Sequence, residues 1–197
     1  MATTAIKARG FAQLKRYGIK RLREEWANVT ADEIDAGMDW YPEAHRWVQN
    51  LAEHHNKTVA QVAAIAAVLS PRLPWHRAIM LTEHILMGID IRDKALGRQV
   101  RKAEQVLAGV DPYTVVSGPK VTSFFHNLMG EYDWITIDKW AFDQVSGRDY
   151  NDNGAHFLER VGVYEMYAEC FRIVARENGL EGATLQAILW IHTRGSA

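Results

Sequence analysis

The sequence predicts an all-α chain, and three observations carry that prediction. Apolar residues recur at helical spacing through most of the 197 positions. Several of those runs end at a glycine or a proline, the residues that most readily close a helix. Only one segment alternates in the manner of a strand, and it is short: Trp134-Ile135-Thr136-Ile137. With 48% hydrophobic and 24% charged residues, the chain can bury one substantial core and suits one domain or two small helical lobes with a cleft between them.

The elements follow in order. "FAQLKRYGIKRLREEWANV" reads as the first helix, and "EAHRWVQNLAEHH" as a second, beginning after Pro42. "TVAQVAAIAAVLS" is alanine-rich and almost wholly apolar, with Thr58 as its cap, so it is expected at the centre of the fold. It stops at "SPRLPW", where Pro71 and Pro74 place Arg72, Leu73 and Trp75 in a loop. Helices are then expected over "HRAIMLTEHILMG" and, closed by Gly109, over "GRQVRKAEQVLAG". "DPYTVV" leads into a hairpin-like "SGPK" and a further helix, "VTSFFHNLMG". After "KWAFDQV", the stretch "DQVSGRDYNDNGAHF" reads as a polar loop, and "VYEMYAECFRIVAREN" and "ATLQAILWIHTRG" as the last two helices.

The formal net charge is −1, so the chain as a whole is no polyanion binder, but its charge is unevenly spread. Lys7, Arg9, Lys15, Arg16, Lys20, Arg21 and Arg23 form one cluster with no acid among them. Arg92, Lys94, Arg98, Arg101 and Lys102 form a second. Each is either a solvated helix face or a partner for phosphates. The single cysteine, Cys170, rules out an internal disulfide and a cysteine-ligated cluster and fits a reducing compartment. No apolar run reaches the length of a membrane span and the first residues lack a secretory signal, so a cytoplasmic protein is expected. His54 and His55 are adjacent, but no second ligand cluster stands at metal-binding spacing, and surface positions are the simpler reading.

Lys120 follows Gly118-Pro119 at the start of an expected helix, where the helix dipole disfavours a cation. Asp138 stands 18 positions later (138 − 120), just before another helix, and Asp is among the best amino-terminal caps. Two helix starts of opposite charge are a pattern a site would use.

The order of these segments resembles the helix-hairpin-helix DNA glycosylase superfamily, in the layout of endonuclease III. "AAIAAVLSPRLPW" is similar to that family's buried helix with its leucine-serine turn, and "GRQVRKAEQVLAG" to its glycine-plus-"KAE" helix. "SGPKV" is similar to the end of its hairpin, Leu-Pro-Gly-x-Gly-x-Lys-Thr-Ala, and "ITIDKW" to the segment bearing its aspartate. The lysine-to-aspartate spacing is also that of the family. The resemblance spans about Val59 to Asp138, with "LQAILWIHTRG" matching a late helix, which makes 59–197 the family-like core and 1–50 a basic helical extension of a single domain. The chain departs from the pattern at Val116 in place of the first hairpin glycine, at Pro119, at Trp140 in place of a histidine, and in lacking the family's terminal cysteine cluster.

The resemblance implies a DNA glycosylase with lyase activity on an abasic site, needing no metal and no cofactor. Lys120 would be the Schiff-base nucleophile, made neutral by desolvation near a helix amino terminus. Asp138 would stabilise the positive charge that develops on the sugar. The nucleotide must leave the duplex. Arg72, Leu73 and Trp75 are candidates for the wedge, Trp140 and Phe125 for the pocket wall, and Gly118, Arg101 and Lys102 for phosphate contacts. Trp75, Trp134, Trp140 and Trp190 read equally as packing residues, and His192 as a satisfied histidine. Two alternatives stay open: a phage-type enzyme acting on a hypermodified base, and a DNA-binding or interaction protein without catalysis.

Overall fold

The computed structural model describes residues 2–148 and 154–194. All regular secondary structure among them is helical, as expected. The chain forms two compact units: unit 1 is Met1–Tyr41 with Tyr132–Ala197, and unit 2 is Pro42–Glu131. The first helix is therefore part of unit 1, packed with helices from the far end of the sequence.

Unit 1 contains α1 (Ala2–Trp26), the first half of α2 (Ala31–His54), α8 (Lys139–Ser146), α9 (Ala155–Leu158), α10 (Val163–Glu177) and α11 (Gly182–Arg194). α1 packs on α8 and α10, and α11 on the same two helices. Their shared core holds Leu22, Phe142, Val145, Tyr167, Phe171, Val174 and Leu189. Burying each such side chain stabilises by roughly 1.5–3 kcal/mol. α2 meets α11 closely: a Cβ on Gly37 would lie 2.4 Å from Ile188 Cγ1 and 2.5 Å from its Cα. Only glycine permits that approach. Cys170 lies in this core, and burial pushes its thiol up to about 12, which leaves it inert.

Unit 2 is built around α3 (Val59–Leu69), as its composition predicts. Val62 to Leu69 are all buried, and α3 packs against α4 (Trp75–Leu86), α5 (Gly97–Leu107), α6 (Pro112–Val115) and α7 (Pro119–Leu128). Thr58 and Gln61 form a reciprocal cap at its start: Thr58 Oγ1 accepts from Gln61 N at 3.1 Å, and Gln61 Oε1 from Thr58 N at 2.9 Å.

Three expectations are corrected, and one short element is added. α2 begins at Ala31, not after Pro42, because Thr30 and Glu33 form a second such cap, with Thr30 N donating to Glu33 Oε2 at 2.8 Å. Pro42 is inside the helix. Trp134–Ile137 is not a strand: its backbone polar groups turn to a side chain, the Tyr164 hydroxyl, which donates to Ile135 O at 2.8 Å and accepts from Ile137 N at 2.9 Å. Trp75 is the first residue of α4, with Pro74 as its cap, and does not belong to the loop. "DPYTVV" contains a one-turn helix, α6, capped by Asp111. Within the stretch read as a polar loop, 149–153 lie outside the described residues, as do the side chains of Lys7 and Arg9 and the position of Gly195.

Candidate functional site

Gly118 caps α7 with φ +86 and ψ 138, a conformation that strains any residue bearing a Cβ. Pro119 takes the first helical position and Lys120 the second, and no side chain caps the helix start. Pro suits this place because its missing N–H would have been unpaired anyway. Lys120 thus stands where the sequence reading puts it, in unit 2.

The basic residues of unit 2 converge close to this helix start. A cavity of about 390 Å³ is lined by Arg72, Arg98 and Lys102, with Val68, Leu96 and Val121 supplying apolar wall. Ser117, which precedes the Gly118 cap, also lines it and accepts a hydrogen bond from Lys102 Nζ. Arg98 and Lys102 share a face of α5, one turn apart. Arg72 reaches the cavity from the turn after α3, with φ +67, one of two non-glycine residues with positive φ among those described. No carboxylate lines the cavity, and none of Arg72, Arg98, Arg101 and Lys102 forms an ion pair among the described residues. Burial, and then the neighbouring Arg98 charge, hold the Lys102 ammonium below its ordinary pKa.

Gln99 completes the cavity wall. It is 8% exposed; its Nε2 donates to Pro71 O at 3.1 Å, and its Oε1 has no hydrogen-bond partner.

Residues 5–197 match a family described as "Family of unknown function (DUF7178)". The chain belongs to that family. No curated protein and no solved structure matches it.

The remaining candidates in this family member divide between packing and surface. Phe125 is 1% exposed and meets Tyr113 edge-on at 5.1 Å, which places it in the core of unit 2 and not on an open pocket wall. Trp75 packs edge-on between Trp47, at 5.4 Å, and Phe124, at 5.5 Å, so its ring is a packing element of unit 2. Leu73 is half-buried and Arg72 exposed in the turn between Ser70 and Pro74. Arg101 is exposed and lies outside the cavity.

Asp138 belongs to unit 1. It caps α8, its Oδ1 accepting from Ala141 N at 2.9 Å, and its backbone is extended with φ −89 and ψ −171. The preceding residues are pinned by Ile135 and Ile137 in the core and by the Tyr164 hydroxyl, so the carboxylate sits on a fixed support. Tyr41 is buried; desolvation drives its hydroxyl well above the ordinary tyrosine range, the nearby Asp138 charge adds to that, and its hydroxyl donates to Gln186 Oε1 at 2.8 Å. Trp140 is half-buried under two cations, with Lys139 Nζ 4.5 Å and Arg194 Cζ 5.5 Å from its ring centre. Arg194 also lies 4.7 Å from the Trp190 ring. His192 pairs with Glu33 at 3.0 Å. Among the described residues, no group of three or more His, Cys, Asp or Glu is placed to hold a metal ion, and no helix is long and apolar enough to cross a membrane.

Sequence reading missed Gln99, Ser117 and Tyr164. A lone glutamine on a helix or a lone serine before a glycine carries no spacing signal. Arg98 was visible as a member of the second basic cluster.

Proposed function

We propose that the protein acts on DNA as a base-excising glycosylase with lyase activity on the abasic product, on a helix-hairpin-helix scaffold. The observation that supports this reading is the setting of Lys120: the second residue of an α7 start without a side-chain cap, behind a Gly118-Pro119 turn flanked by cations without carboxylate partners. Those cations suit phosphates, and the turn carrying Arg72 and Leu73 suits the wedge that replaces a flipped nucleotide.

In the reaction, the neutral Lys120 amine attacks the anomeric carbon. The bond from that carbon to the base breaks, and the base departs with the bonding pair and is protonated. The attacking amine gives up its proton to water, and a carboxylate stabilises the positive charge on the sugar, the role that the glycosylase resemblance gives Asp138. Opening of the sugar gives a Schiff base, and loss of the neighbouring proton then expels the 3′ phosphate oxygen, which nicks the strand.

Borohydride trapping tests this on duplexes carrying uracil, oxidised or alkylated bases, abasic sites and hypermodified bases. A covalent adduct absent from Lys120→Ala supports the lysine as nucleophile and identifies the substrate class. Base release without an adduct leaves Asp138 as a monofunctional catalyst. Asp138→Asn separates its two roles, since asparagine caps a helix about as well as aspartate: stability is retained and base release falls. Asp138→Ala loses the cap as well, at about 1 kcal/mol.

A second reading, a DNA-binding protein without catalysis, is favoured by the cap itself, because the hydrogen bond from Ala141 N gives the Asp138 carboxylate a structural task that needs no catalysis. It predicts neither adduct nor base release on any substrate, with binding unaffected by Lys120→Ala.

A further inference from the structure

We propose that the cavity of unit 2 lined by Arg72, Arg98, Gln99 and Lys102 binds the phosphate monoester of a nucleotide, free or at the end of a strand. The proposal shares the cavity's cations with the glycosylase reading but uses neither Lys120 nor Asp138, so it does not depend on the base-excising chemistry.

The charge of the cavity comes first. Two guanidiniums and an ammonium line about 390 Å³ with no carboxylate among them. That volume is within the range of roughly 300–1,000 Å³ common for small-molecule sites. Cations brought together in this way repel one another, and the Lys102 pKa is lowered first by burial and then by the Arg98 charge. An anion of higher charge relieves it best. A phosphate monoester carries about −1.5 to −2 at neutral pH, whereas an internal phosphodiester or a carboxylate carries a single charge. Arginine pairs with phosphate through parallel N–H donors, so the two guanidiniums favour phosphate over a spherical anion.

Gln99 argues that the ligand is more than phosphate. Its Nε2 is committed to Pro71 O, which leaves the buried Oε1 as an acceptor without a donor. A buried acceptor left unmet is costly. A fully ionised phosphate has no hydrogen to offer, while a nucleoside has hydroxyl and amino groups. The apolar wall of Val68, Leu96 and Val121 gives a sugar or base a surface to lie on. Arg72 is held at positive φ by a turn in which Leu73 N donates to Ser70 O at 3.1 Å, a conformation that non-glycine residues adopt at a cost.

Calorimetric titration of the full chain tests the proposal with thymidine and deoxyadenosine 5′-monophosphates, the matching nucleosides, inorganic phosphate, and one oligonucleotide with and without a 5′-phosphate. The monophosphates are expected to bind, with Arg98→Ala and Lys102→Met each weakening them about tenfold or more. Arg98 is exposed, so its variant is expected to fold, and an unchanged helical circular dichroism spectrum checks this. A phosphorylated strand that binds more tightly than the free nucleotide assigns the strand end, and the reverse assigns a free nucleotide; either sustains the proposal. It is overturned if the monophosphates do not bind, if nucleosides or inorganic phosphate bind as tightly, or if folded Arg98→Ala and Lys102→Met variants keep the wild-type affinity. Neither base release nor a Schiff base enters the readout, so the result is separate from the trapping test.

Discussion

Lys20, Arg21 and Arg23 on α1 and Arg98, Arg101 and Lys102 on α5 are basic runs of similar density, yet the fold treats them differently. In unit 1, Lys20 pairs with Glu24 at 3.5 Å, Arg21 with Glu25 at 3.0 Å, and Arg23 makes two hydrogen bonds to Glu177, at 2.9 and 2.6 Å. Further along the unit, Arg172 joins Glu165, Glu169 and Asp133. In unit 2, Arg98, Arg101 and Lys102 have no carboxylate partner among the described residues, and Arg72 joins two of them at one cavity. A cluster of like charge in a sequence therefore says little about ligand binding until its partners are known. Lys20, Arg21 and Arg23 of α1 are occupied by the protein's own carboxylates, and Arg98, Arg101 and Lys102 of α5 are left for something else.

This contrast predicts that charge removal in the two units has opposite consequences. The largest effect is expected from Arg98→Ala combined with Lys102→Ala. Binding to a phosphorylated oligonucleotide should fall about a hundredfold, and the slope of log affinity against log salt should shrink by about 1.5 for two lost phosphate contacts. Thermal stability should move little, because Arg98 is exposed and the one hydrogen bond lost, from Lys102 to Ser117, is offset by relief of the repulsion between the two cations. Fluorescence anisotropy over a salt series, beside thermal melts, measures both. Equal loss of binding from Arg23→Ala would break the contrast.

Arg172→Ala should do the reverse. Its side chain is 15% exposed, and it donates to Asp133 O at 2.9 Å as well as to Glu165 and Glu169. Removal should cost about 1–2 kcal/mol, since hydrogen bonds between charged groups are worth more than neutral ones but two of the carboxylates are largely exposed. Tm should drop by a few degrees with oligonucleotide affinity unchanged. A variant that melts normally but binds poorly would move the nucleic-acid surface into unit 1.

Much of this was legible in the residues. Unbroken periodicity placed α3, α5 and α10 within a residue or two of their ends, and Thr58 as a cap was readable because the cap is a local hydrogen bond. The start of α2 was missed because Pro42 is the louder signal, although Thr30 and Glu33 stand at the spacing of a capping box. Trp134–Ile137 alternates as a strand does, but no strand lies beside it among the described residues, and pairing is a long-range property that alternation cannot supply. Which segments make up each unit was not legible, because α1 finds its partners in α8 and α10, more than a hundred positions later. At the cavity, Arg72 and Lys102 were named as phosphate contacts from loop and cluster position; Gln99 became significant only when Pro71 O was seen to occupy one end of its amide.

The smallest effect concerns pH, and it too separates the units. Three carboxylates of unit 1 lie below the ordinary value of 4.5. Glu33 is lowered first by the Thr30 backbone N–H and then by His192. Glu177 is lowered by its hydrogen bonds with Arg23. Glu169 is lowered by Arg176 and Arg172 against the opposing pull of burial. For each, the unfolded chain takes up its proton at a higher pH than the folded one. The stability they confer is thus complete above about pH 4.5 and is lost as pH falls through the folded values. Glu33→Gln keeps the side-chain acceptor that caps α2 but cannot titrate. Its melting temperature should therefore lie below that of the wild type at pH 5 and fall less between pH 5 and pH 3, so that the two converge in acid. If the two curves stay parallel to pH 3, Glu33 contributes no acid sensitivity, and the pair of Arg23 with Glu177 between α1 and α10 is left to carry it.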